Sequence, residues 1–328
     1  MPPAGVPAAF PGNPNLNMTD SHTVGFIGLG AMGMGVASRL LAMGHRVTAH
    51  DIRPELREAW TRLGGRWAAS PAEAALGAQA LALMVVNSDQ VESVLFGAQG
   101  SISALAPGAV VIVHSTVSPS YSRQLGERLA RAGYPMLDAP VSGGVAAAGN
   151  GTLSVMASGS KEAFAASEAI LAAISTKLHR VGDEPGLGSM VKAVNQLLAG
   201  AHIALAAEAM AFGAKAGLDT RVLFDVISSS AGNSWMFTNR VPHMLDGDYR
   251  PLSAVGIFVK DLGIVLDMAR ELRFPAPLTA LAHQLFIMAA ASGHAQEDDA
   301  AVVKVYETLT GAKVGRGADK QAWRGGSV

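Results

Sequence analysis

The chain has 328 residues, of which 49% are hydrophobic and 16% charged, a composition typical of a globular protein long enough for about two domains. Its 25 lysines and arginines nearly balance its 26 aspartates and glutamates, which argues against nucleic acids and acidic lipid surfaces as partners. Cysteine is absent, so disulfides, thiolate metal sites and cysteine nucleophiles are excluded, and a cytoplasmic location is favoured.

Both ends of the sequence resemble tails rather than folded segments. Residues 1–20 lack the basic start and apolar centre of a signal peptide, so we expect a disordered tail, with Met18 as an alternative start. Residues 315–328 are predicted to form a polar tail. No apolar run reaches the ~18 to 20 residues of a membrane span without an interrupting glycine, histidine or charge, so no membrane partner is expected.

The first organised stretch predicts a strand, a glycine-rich turn and a helix. Residues 23–29 form an apolar run typical of a buried strand, and residues 32–43 carry a helical periodicity that Gly44 ends. A second apolar strand over 46–50 follows and leads into Asp51. The turn between the first strand and the helix has the pattern G-x-G-x-x-G, formed by Gly28, Gly30 and Gly33. This order is typical of a dinucleotide-binding βαβ unit.

Each glycine of this pattern has its own structural role. Gly28 permits the tight turn, Gly30 lets the backbone approach a pyrophosphate, and Gly33 lets the helix pack closely on the strand. Asp51 stands 23 positions after Gly28, near the ~20 expected for the acid that binds the adenosine ribose. A carboxylate repels the 2′-phosphate of NADP, so Asp51 favours NAD, a preference that the nearby Arg53 weakens. The loop residues expected to contact the cofactor are Gly28, Leu29, Gly30, Ala31, Met32 and Gly33.

Strands and helices continue to alternate up to about residue 185, which predicts a Rossmann-type, doubly wound parallel sheet over residues 21–185. Four polar residues lie at or just past predicted strand ends, where such sheets bind ligands. For Asn87 and Ser115, capping of the following helix is an equal alternative to ligand binding. For Thr116 and Ser142 the ligand-binding interpretation is favoured, and Thr116 and Val86 are expected to contact the cofactor. The predicted strands are 80–87, 109–116, 135–144, 152–159 and a last one from Lys177, and the helices are 88–95, 118–132 and 161–174.

Residues 186–314 are predicted to form an all-α domain. A helix of about 28 residues and ~42 Å joins the two domains, with Ser189 as a candidate N-cap and Gly217 as its stop. It is apolar on nearly every side, so we expect it to be buried on nearly every side. An alanine-, methionine- and leucine-rich domain of this kind favours a homodimer or homotetramer. Further helices are predicted over 220–229, 235–244, 252–272, 277–292 and 298–309.

One lysine stands at the start of this long helix. Lys192, Asn195 and Gln196 occupy positions i, i+3 and i+4 and share one helix face, which we expect to point toward the strand ends that carry Ser142, Gly143 and Gly144. A lone lysine is more often a surface residue whose amine reaches solvent. Here the neighbouring residues are apolar and the helix has no polar face, which favours a functional amine.

Several motifs together resemble the β-hydroxyacid dehydrogenases, the group related to 3-hydroxyisobutyrate dehydrogenase. They are "GFIGLGAMGMGVA", "STVSP", "DAPVSGG", "GLGSMVKAVNQ" and "IFVKDLGIVLD", and the resemblance covers about residues 24–309. Within the family, the stretches "AGNSWMFTNR", "DGDYRPLSAVGIFVKDLG" and "EDDAAVV" are most similar to the branch that acts on four-carbon sugar acids. Asn195 departs from that branch, which often has histidine there, and matches the wider family.

The resemblance implies oxidation of a hydroxy acid by hydride transfer to the nicotinamide of NAD, with Lys192 as general acid/base. A base of pKa near the working pH serves best, so the lysine pKa must fall from about 10.4; burial and a second cation, Lys260, both act in that direction. The resemblance places Lys260 beside the nicotinamide, whereas the sequence alone favours a surface pair with Asp261.

Substrate contacts follow from the same resemblance. The Ser142 hydroxyl and the unobstructed backbone N–H groups of Gly143 and Gly144 are expected to bind the substrate carboxylate. Asn195 is expected to orient the reacting hydroxyl. Asn233 is a candidate for the distal hydroxyls, although the aromatic residues around it are more often packing residues. The nine histidines show no metal-ligand spacing, so no metal is expected.

Other functions stay open on sequence alone. Within the family, the alternatives are 3-hydroxyisobutyrate dehydrogenase and tartronate-semialdehyde reductase, because sequence does not give the size of a pocket. An NADP-linked imine or aldehyde reductase should carry a basic residue in place of Asp51. A non-enzymatic NAD-sensing module should have lost Lys192.

Overall fold

The computed structural model describes residues 21–315, so the tails predicted for residues 1–20 and beyond Gly315 lie outside the described residues. The chain divides into two compact units, one up to Lys192 and one from Ala193 onward. The division falls inside a long helix, whereas the sequence placed the domain boundary just before that helix, between residues 185 and 186.

The first unit is an α/β fold that confirms the Rossmann-type class. A 3₁₀ turn over Ser101–Ser103 lies between the helix Ser88–Phe96 and the strand Val110–Val113. The elements in chain order are β1 (Thr23–Ile27), α1 (Ala31–Ala42), β2 (Arg46–His50), α2 (Leu56–Arg62), β3 (Arg66–Trp67), α3 (Pro71–Ala75), β4 (Ala80–Leu83), α4 (Ser88–Phe96), β5 (Val110–Val113), α5 (Pro119–Arg131), β6 (Met136–Asp138), β7 (Val141–Ser142), α6 (Gly144–Asn150), β8 (Leu153–Gly159), α7 (Lys161–Ile174) and β9 (Ser175–Gly182).

The strands form one sheet in the order β3-β2-β1-β4-β5-β6-β8-β7, with β9 paired to β8. Pairing is parallel from β3 through β6, but β8 is antiparallel to β6, so the expectation of a wholly parallel sheet is corrected at this edge. The sequence predicted one strand over 135–144. In the structure β6 ends at Asp138, two residues before Pro140, which has no N–H for a strand ladder. The chain then returns through β7 and the unpredicted helix α6.

Helices on both faces bury the central strands completely. All four residues of β4 and all four of β5 are inaccessible to solvent. Such continuous apolar runs are typical of parallel strands covered on both faces. The carboxyl ends of β1, β4 and β5 therefore lie at one edge of the sheet, followed by the glycine turn, Val86 and Thr116 respectively.

The second unit is helical. Helix α8 (Leu187–Lys215) begins in the first unit and supplies the core of the second, where Ile203, Ala207 and Met210 are buried. A π-helical turn over Ala290–His294 and a 3₁₀ turn over Asp299–Val302 complete the unit. The remaining helices are α9 (Thr220–Ser228), α10 (Trp235–Asp246), α11 (Val255–Glu271), α12 (Pro277–Ala289) and α13 (Val303–Thr310).

Two expectations for α8 were wrong. Ser189 is not its N-cap, because the helix starts at Leu187 and the Ser189 hydroxyl donates to Asp138. The helix is not buried on nearly every side: Leu205 and Phe212 expose 60% and 77% of their surface. Within residues 21–315 it is the one helix that is long and apolar enough to cross a membrane, and half of its apolar stretch is buried inside the protein.

Candidate active site

The glycine turn after β1 forms a tight junction with helix α1. Gly28 has a φ of +98°, and a Cβ there would lie 2.4 Å from the Met84 carbonyl oxygen. A Cβ on Gly33 would lie 1.9 Å from the Gly28 carbonyl oxygen, so the helix could not approach the turn with any side chain at that position. These contacts explain why the sequence places glycine at both ends of the pattern.

The middle of the turn is open. The nearest atom to a Cβ on Gly30 would be the Arg53 guanidinium, 3.8 Å away. Gly30 is also the N-cap of α1, and no side chain caps that helix. An uncapped helix N-terminus with unobstructed backbone attracts anions, because the unpaired N–H groups point at the ligand. The turn therefore fits the pyrophosphate of a dinucleotide.

Asp51 lies beside this turn at the end of β2. Its side chain is 6% exposed, and its Oδ2 accepts a hydrogen bond of 2.7 Å from the Leu29 backbone N–H. Arg53 donates from its backbone N–H and Nε to Oδ1 at 2.9 and 3.0 Å, and from Nη2 to Oδ2 at 3.1 Å. Burial raises the pKa of Asp51, but the hydrogen bonds from Arg53 and Leu29 outweigh burial and hold the pKa below its usual value.

The strand ends after β4 and β5 carry the other predicted cofactor residues. Val86 is half exposed, and its N–H donates to Gln90 at 2.8 Å. Asn87 caps α4 by accepting from the Gln90 N–H, which is the capping role considered for it. Ser115 is not a helix cap: its hydroxyl accepts from the Val85 N–H at 3.0 Å and joins the two strand ends. Thr116 is partly buried at the same edge.

The histidine at this edge has a structural role. His114 is buried, and its Nδ1 lies 2.7 Å from the Ala139 carbonyl oxygen. Burial lowers its pKa to about 4, so the ring is neutral near pH 7. His114 is therefore a neutral residue held by a hydrogen bond to the backbone. Within the part of the chain that the structure covers, no group of three or more histidines, aspartates or glutamates forms a candidate metal site.

The segment Ser142–Gly144 lies between β7 and α6. Gly143 and Gly144 have φ values of +134° and +74°, and no atom lies within 4 Å of a Cβ built on Gly144. Gly143 is the N-cap of α6, which has no side-chain cap. Backbone N–H groups in this conformation are accessible to an anion such as a carboxylate.

Lys192 lies in the second turn of α8 and is 7% exposed, so its amine is buried, as the sequence pattern favoured. The first turn of the same helix contacts Asp138 at the end of β6, a residue that the sequence analysis did not single out. Gly186 and Ser189 donate their N–H groups to Asp138 Oδ2 at 2.8 and 2.9 Å. The signal was present in the sequence as an acid at a strand end, inside the motif "DAPVSGG".

A second network lies within the helical unit and connects α8 with α11. Asn195 donates to Gln196 Oε1 at 3.0 Å, and Gln196 donates to Asp261 Oδ2 at 2.6 Å. Lys260 donates to the other oxygen of Asp261 at 2.5 Å, and Asp261 is 2% exposed. The Lys260 and Asp261 pair considered from the sequence is therefore present, with its acid buried rather than on the surface. Two predicted site residues, Asn195 and Lys260, are joined through residues that had no assigned role.

Asn233 does not belong to that network. Its Nδ2 donates to the Ser228 carbonyl at 2.9 Å, and its Oδ1 accepts from the Thr238 hydroxyl at 2.8 Å. It lines a cavity of about 460 Å³ in the helical unit, together with His202, Ile227 and Phe237. The walls are mainly apolar, and these two bonds use one of the two amide hydrogens and one of the two oxygen lone pairs of Asn233, a polar group at the edge of the cavity.

Comparisons with known proteins match both units. Residues 23–182 match the NAD binding domain of 6-phosphogluconate dehydrogenase, and residues 186–306 match the NAD-binding region of NADP-dependent 3-hydroxyisobutyrate dehydrogenase. L-threonate dehydrogenase of Cupriavidus necator is 55% identical over 286 residues, which cover 87% of this chain and 96% of that protein.

Solved structures agree with the sequence matches. A structure of 3-hydroxyisobutyrate dehydrogenase from Salmonella typhimurium has a TM-score of 0.83 and 47% identity, covering 87% of this chain and all of that one. A protein named Psf3, solved with NADP⁺ and 2-OPP, has a TM-score of 0.79 and 29% identity, covering 86% and 99% of the two chains.

The fold, the dinucleotide turn and these matches define an oxidoreductase that uses a nicotinamide dinucleotide. The chain belongs to the β-hydroxyacid dehydrogenases, the family of 3-hydroxyisobutyrate dehydrogenase and its relatives, as the sequence motifs indicated. Because Psf3 was solved with NADP⁺, the matches support a nicotinamide dinucleotide but do not distinguish NAD from NADP. The residues of this chain that bear on that distinction are Asp51 and Arg53.

Proposed function

We propose that this hydroxyacid dehydrogenase oxidises L-threonate, a four-carbon sugar acid, to 2-dehydro-L-erythronate with NAD as the hydride acceptor. The observation that carries the substrate assignment is the 55% identity to an L-threonate dehydrogenase along nearly the whole length of that protein. The burial of Lys192 supports the reaction type, because oxidation of an alcohol requires a base for the hydroxyl proton.

Lys192 is the proposed general acid/base. The nicotinamide, when bound, accepts the hydride from the carbon that bears the hydroxyl group. Lys192 takes the hydroxyl proton during oxidation and returns it in the reverse reaction. A lysine with 7% of its surface exposed is largely removed from water, and the form of it that acts as a base is the neutral amine.

Different residues are proposed to contact the carboxylate, the reacting hydroxyl and the distal hydroxyls of the substrate. Ser142, Gly143 and Gly144 bind the carboxylate through one hydroxyl and backbone N–H groups, which the open backbone at Gly144 supports. Asn195 orients the reacting hydroxyl, and its hydrogen bond to Gln196 supports a fixed amide orientation. Asn233 is proposed for the distal hydroxyls, as a polar residue at the edge of a mainly apolar cavity.

The cofactor is proposed to be NAD. The turn residues Gly28 to Gly33 hold the pyrophosphate, and Asp51 accepts hydrogen bonds from the adenosine ribose. A pKa below the usual value keeps Asp51 ionised, and an ionised carboxylate repels a 2′-phosphate. Val86 and Thr116 contact the cofactor from the neighbouring strand ends, and Lys260 lies beside the nicotinamide.

The proposed setting is the cytoplasm, and the proposed assembly is a homodimer or homotetramer formed through the helical unit. The absence of cysteine supports a reducing compartment. Large apolar side chains exposed along α8, including Leu205 and Phe212, support association of copies, because such side chains gain from removal from water.

A second candidate function is oxidation of 3-hydroxyisobutyrate, which the 47% identical structure of a 3-hydroxyisobutyrate dehydrogenase favours. Reduction of tartronate semialdehyde is the remaining alternative within the family. All three reactions would use the same base and carboxylate site but differ in the reacting carbon: L-threonate is oxidised at C2, next to the carboxylate, whereas 3-hydroxyisobutyrate is oxidised and tartronate semialdehyde reduced at C3.

The discriminating experiment measures initial rates of NAD and NADP reduction with L-threonate, D-erythronate, D-glycerate and 3-hydroxyisobutyrate. The proposal expects the highest kcat/KM with L-threonate and NAD. Higher kcat/KM with 3-hydroxyisobutyrate or D-glycerate would replace the substrate but keep the reaction class.

A further inference from the structure

The carboxyl end of β6 holds a buried acid that the proposed reaction does not use directly. Asp138 has no exposed surface. It lies four residues before Ser142, the first residue of the segment proposed to bind the substrate carboxylate. It also contacts the start of the helix that carries Lys192. A buried carboxylate is costly unless its oxygens are hydrogen-bonded, so its partners indicate what it is for.

The nearest of those partners lie at the start of α8 and in the residue just before it. Asp138 Oδ2 accepts from the backbone N–H groups of Gly186 at 2.8 Å and Ser189 at 2.9 Å, and Oδ1 accepts from the Ser189 hydroxyl at 2.8 Å. Ser158, on β8, supports the same turn: its hydroxyl accepts from the Gly188 N–H at 2.9 Å and lies 3.5 Å from Asp138 Oδ2.

These bonds replace an ordinary helix cap. The first N–H groups of a helix have no partner within it, and a side chain of the residue before the helix usually accepts from them. Here an acid on a strand 51 positions away in sequence accepts instead. A negative charge at this end is also favoured by the helix dipole.

The helix start is also held sterically. A Cβ on Gly188 would lie 2.4 Å from the Met156 carbonyl oxygen and 2.7 Å from that of Asp138. The first turn of α8 therefore sits directly on the backbone of β6 and β8, and it cannot shift toward them.

We propose that Asp138 is a positioning residue for Lys192: its ionised carboxylate fixes the first turn of α8 and thereby the place and direction of the catalytic amine. The inference rests on the proposed function, in which Lys192 is the acid/base. Lys192 follows Ser189 by three residues, less than one helical turn, so a displaced first turn displaces the amine with it. Misplacement of a reacting group by about 1 Å costs on the order of 100-fold in rate.

The contacts fit a carboxylate better than an amide of the same shape. All three bonds from Gly186 and Ser189 are donated to Asp138, and an ionised carboxylate only accepts. Burial raises the pKa of Asp138 above its usual value, and the hydrogen bonds from Ser189 and Gly186 limit that rise. In an Asp138→Asn variant the charge is lost. If the amide NH₂ takes the Oδ2 position, it faces two backbone donors; if it takes the Oδ1 position, the Ser189 hydroxyl must turn from donor to acceptor.

The test compares Asp138→Asn and Ser158→Ala with Ser167→Ala in the full-length enzyme. Ser167 is the matched control, because it is a buried serine of the same unit whose hydroxyl donates to the Ala163 carbonyl within α7. The measurements are kcat, KM for NAD, NADH affinity, and the solvent and substrate deuterium isotope effects on the best substrate of the wild type. Isotope effects do not depend on the fraction of folded enzyme, so a merely destabilised protein leaves them unchanged.

We expect Asp138→Asn to lower kcat by about 100-fold, with KM for NAD and NADH affinity within about twofold of wild type. Its solvent isotope effect should increase, because proton transfer to Lys192 becomes slow. Ser158→Ala should show the same increase with a loss of kcat of about 10-fold or less, since one neutral hydrogen bond is removed. Ser167→Ala should match the wild type in both measurements.

The inference is overturned if Asp138→Asn keeps the wild-type kcat and isotope effects, or loses activity with unchanged isotope effects. If Asp138→Asn does not fold, the test rests on Ser158→Ala. The inference is then overturned if Ser158→Ala and Ser167→Ala have the same kcat and the same isotope effects. Failure of the proposed function looks different: the wild type would then oxidise no hydroxy acid, or Lys192→Ala would be as fast as wild type.

Discussion

Arg53 and Asp51 are paired through two side-chain hydrogen bonds, from Nε to Oδ1 at 3.0 Å and from Nη2 to Oδ2 at 3.1 Å, beside the turn proposed for the cofactor pyrophosphate. The acid is nearly buried, whereas the guanidinium is 49% exposed. In the proposed cofactor site, the acid expected to disfavour a 2′-phosphate therefore holds in place the cation that would bind one, and we expect the balance between the two to determine cofactor preference.

Arg53→Ala should shift this balance toward NAD. The substitution removes the two side-chain hydrogen bonds to Asp51 and the nearby cation, while the bonds from the backbone N–H groups of Leu29 and residue 53 stay. We therefore expect the ratio of kcat/KM for NAD to that for NADP to rise by about 10-fold. Arg62→Ala is the control, since Arg62 makes only an exposed pair with Glu58 among the ion pairs seen for residues 21–315. An unchanged ratio in Arg53→Ala would show that Arg53 does not influence cofactor choice.

Gly30 and Gly33 should respond oppositely to alanine. At Gly30 the added Cβ has room, so Gly30→Ala should melt at the wild-type temperature yet bind NADH about 10-fold more weakly, because the methyl group occupies the anion site. At Gly33 the Cβ would overlap the Gly28 carbonyl oxygen, so Gly33→Ala should lose about 1 to 3 kcal/mol of stability or more. Calorimetry and NADH titration distinguish the two, and a stable Gly33→Ala with normal NADH binding would contradict the described turn.

Asp261 should be required for substrate turnover through its contacts with Lys260 and Gln196. Asp261→Asn removes the charge that holds Lys260 and weakens the acceptor for Gln196, so we expect kcat/KM for the hydroxy acid to fall by about 10-fold or more. Asp267→Asn, an exposed acid on the same helix that pairs with Arg270, should leave kcat/KM unchanged. Equal kcat/KM values in Asp261→Asn and Asp267→Asn would show that the hydrogen-bond network around Asp261 is not part of the proposed site.

The pair of His243 and Asp298 should make stability depend on pH. The hydrogen bond to Asp298 raises the pKa of His243 above its usual value, although burial opposes this. Because the pKa of His243 is higher in the folded than in the unfolded protein, protonation of His243 stabilises the fold. This stabilisation is complete at pH values below the unfolded-state pKa of about 6.5 and is lost as the pH rises through the folded-state pKa. Arg240 and Asp299 lie beside the pair, and both are present in the wild type and in the His243→Gln variant compared with it below.

The measurement is the difference in melting temperature between the wild type and His243→Gln, whose amide does not titrate. We expect the wild type to melt about 3 °C higher at pH 5.5, and the difference to shrink by pH 9. A difference that is constant over this range would mean that the protonated form of His243 contributes nothing to stability.

The elements predicted correctly are those encoded by local patterns. The glycine turn, strands β1 and β2 and helix α7 follow from short-range periodicity and end signals, and the long helix α8 was predicted to within a few residues. Strand β8 was predicted, over residues 152–159, but its antiparallel direction was not, because strand direction depends on pairing between segments and leaves no mark within a strand of seven residues.

The errors at the site have the same origin. Ser189 has the composition and position of an N-cap, but an acid 51 positions earlier accepts the helix N–H groups and moves the helix start to Leu187. The contact between Gln196 and Asp261 joins residues 65 positions apart. The sequence predicted the chemical groups of the proposed site, while the residues that hold those groups in place emerged only from the fold.

The most direct test of the account is the rate of NAD reduction with L-threonate by the wild type and by Lys192→Ala, together with the NADH affinity of both proteins. The account predicts turnover by the wild type and a loss of several orders of magnitude, on the order of 10³-fold or more, in a variant that still binds NADH. Turnover by Lys192→Ala at the wild-type rate would contradict it and leave the buried amine without a catalytic role.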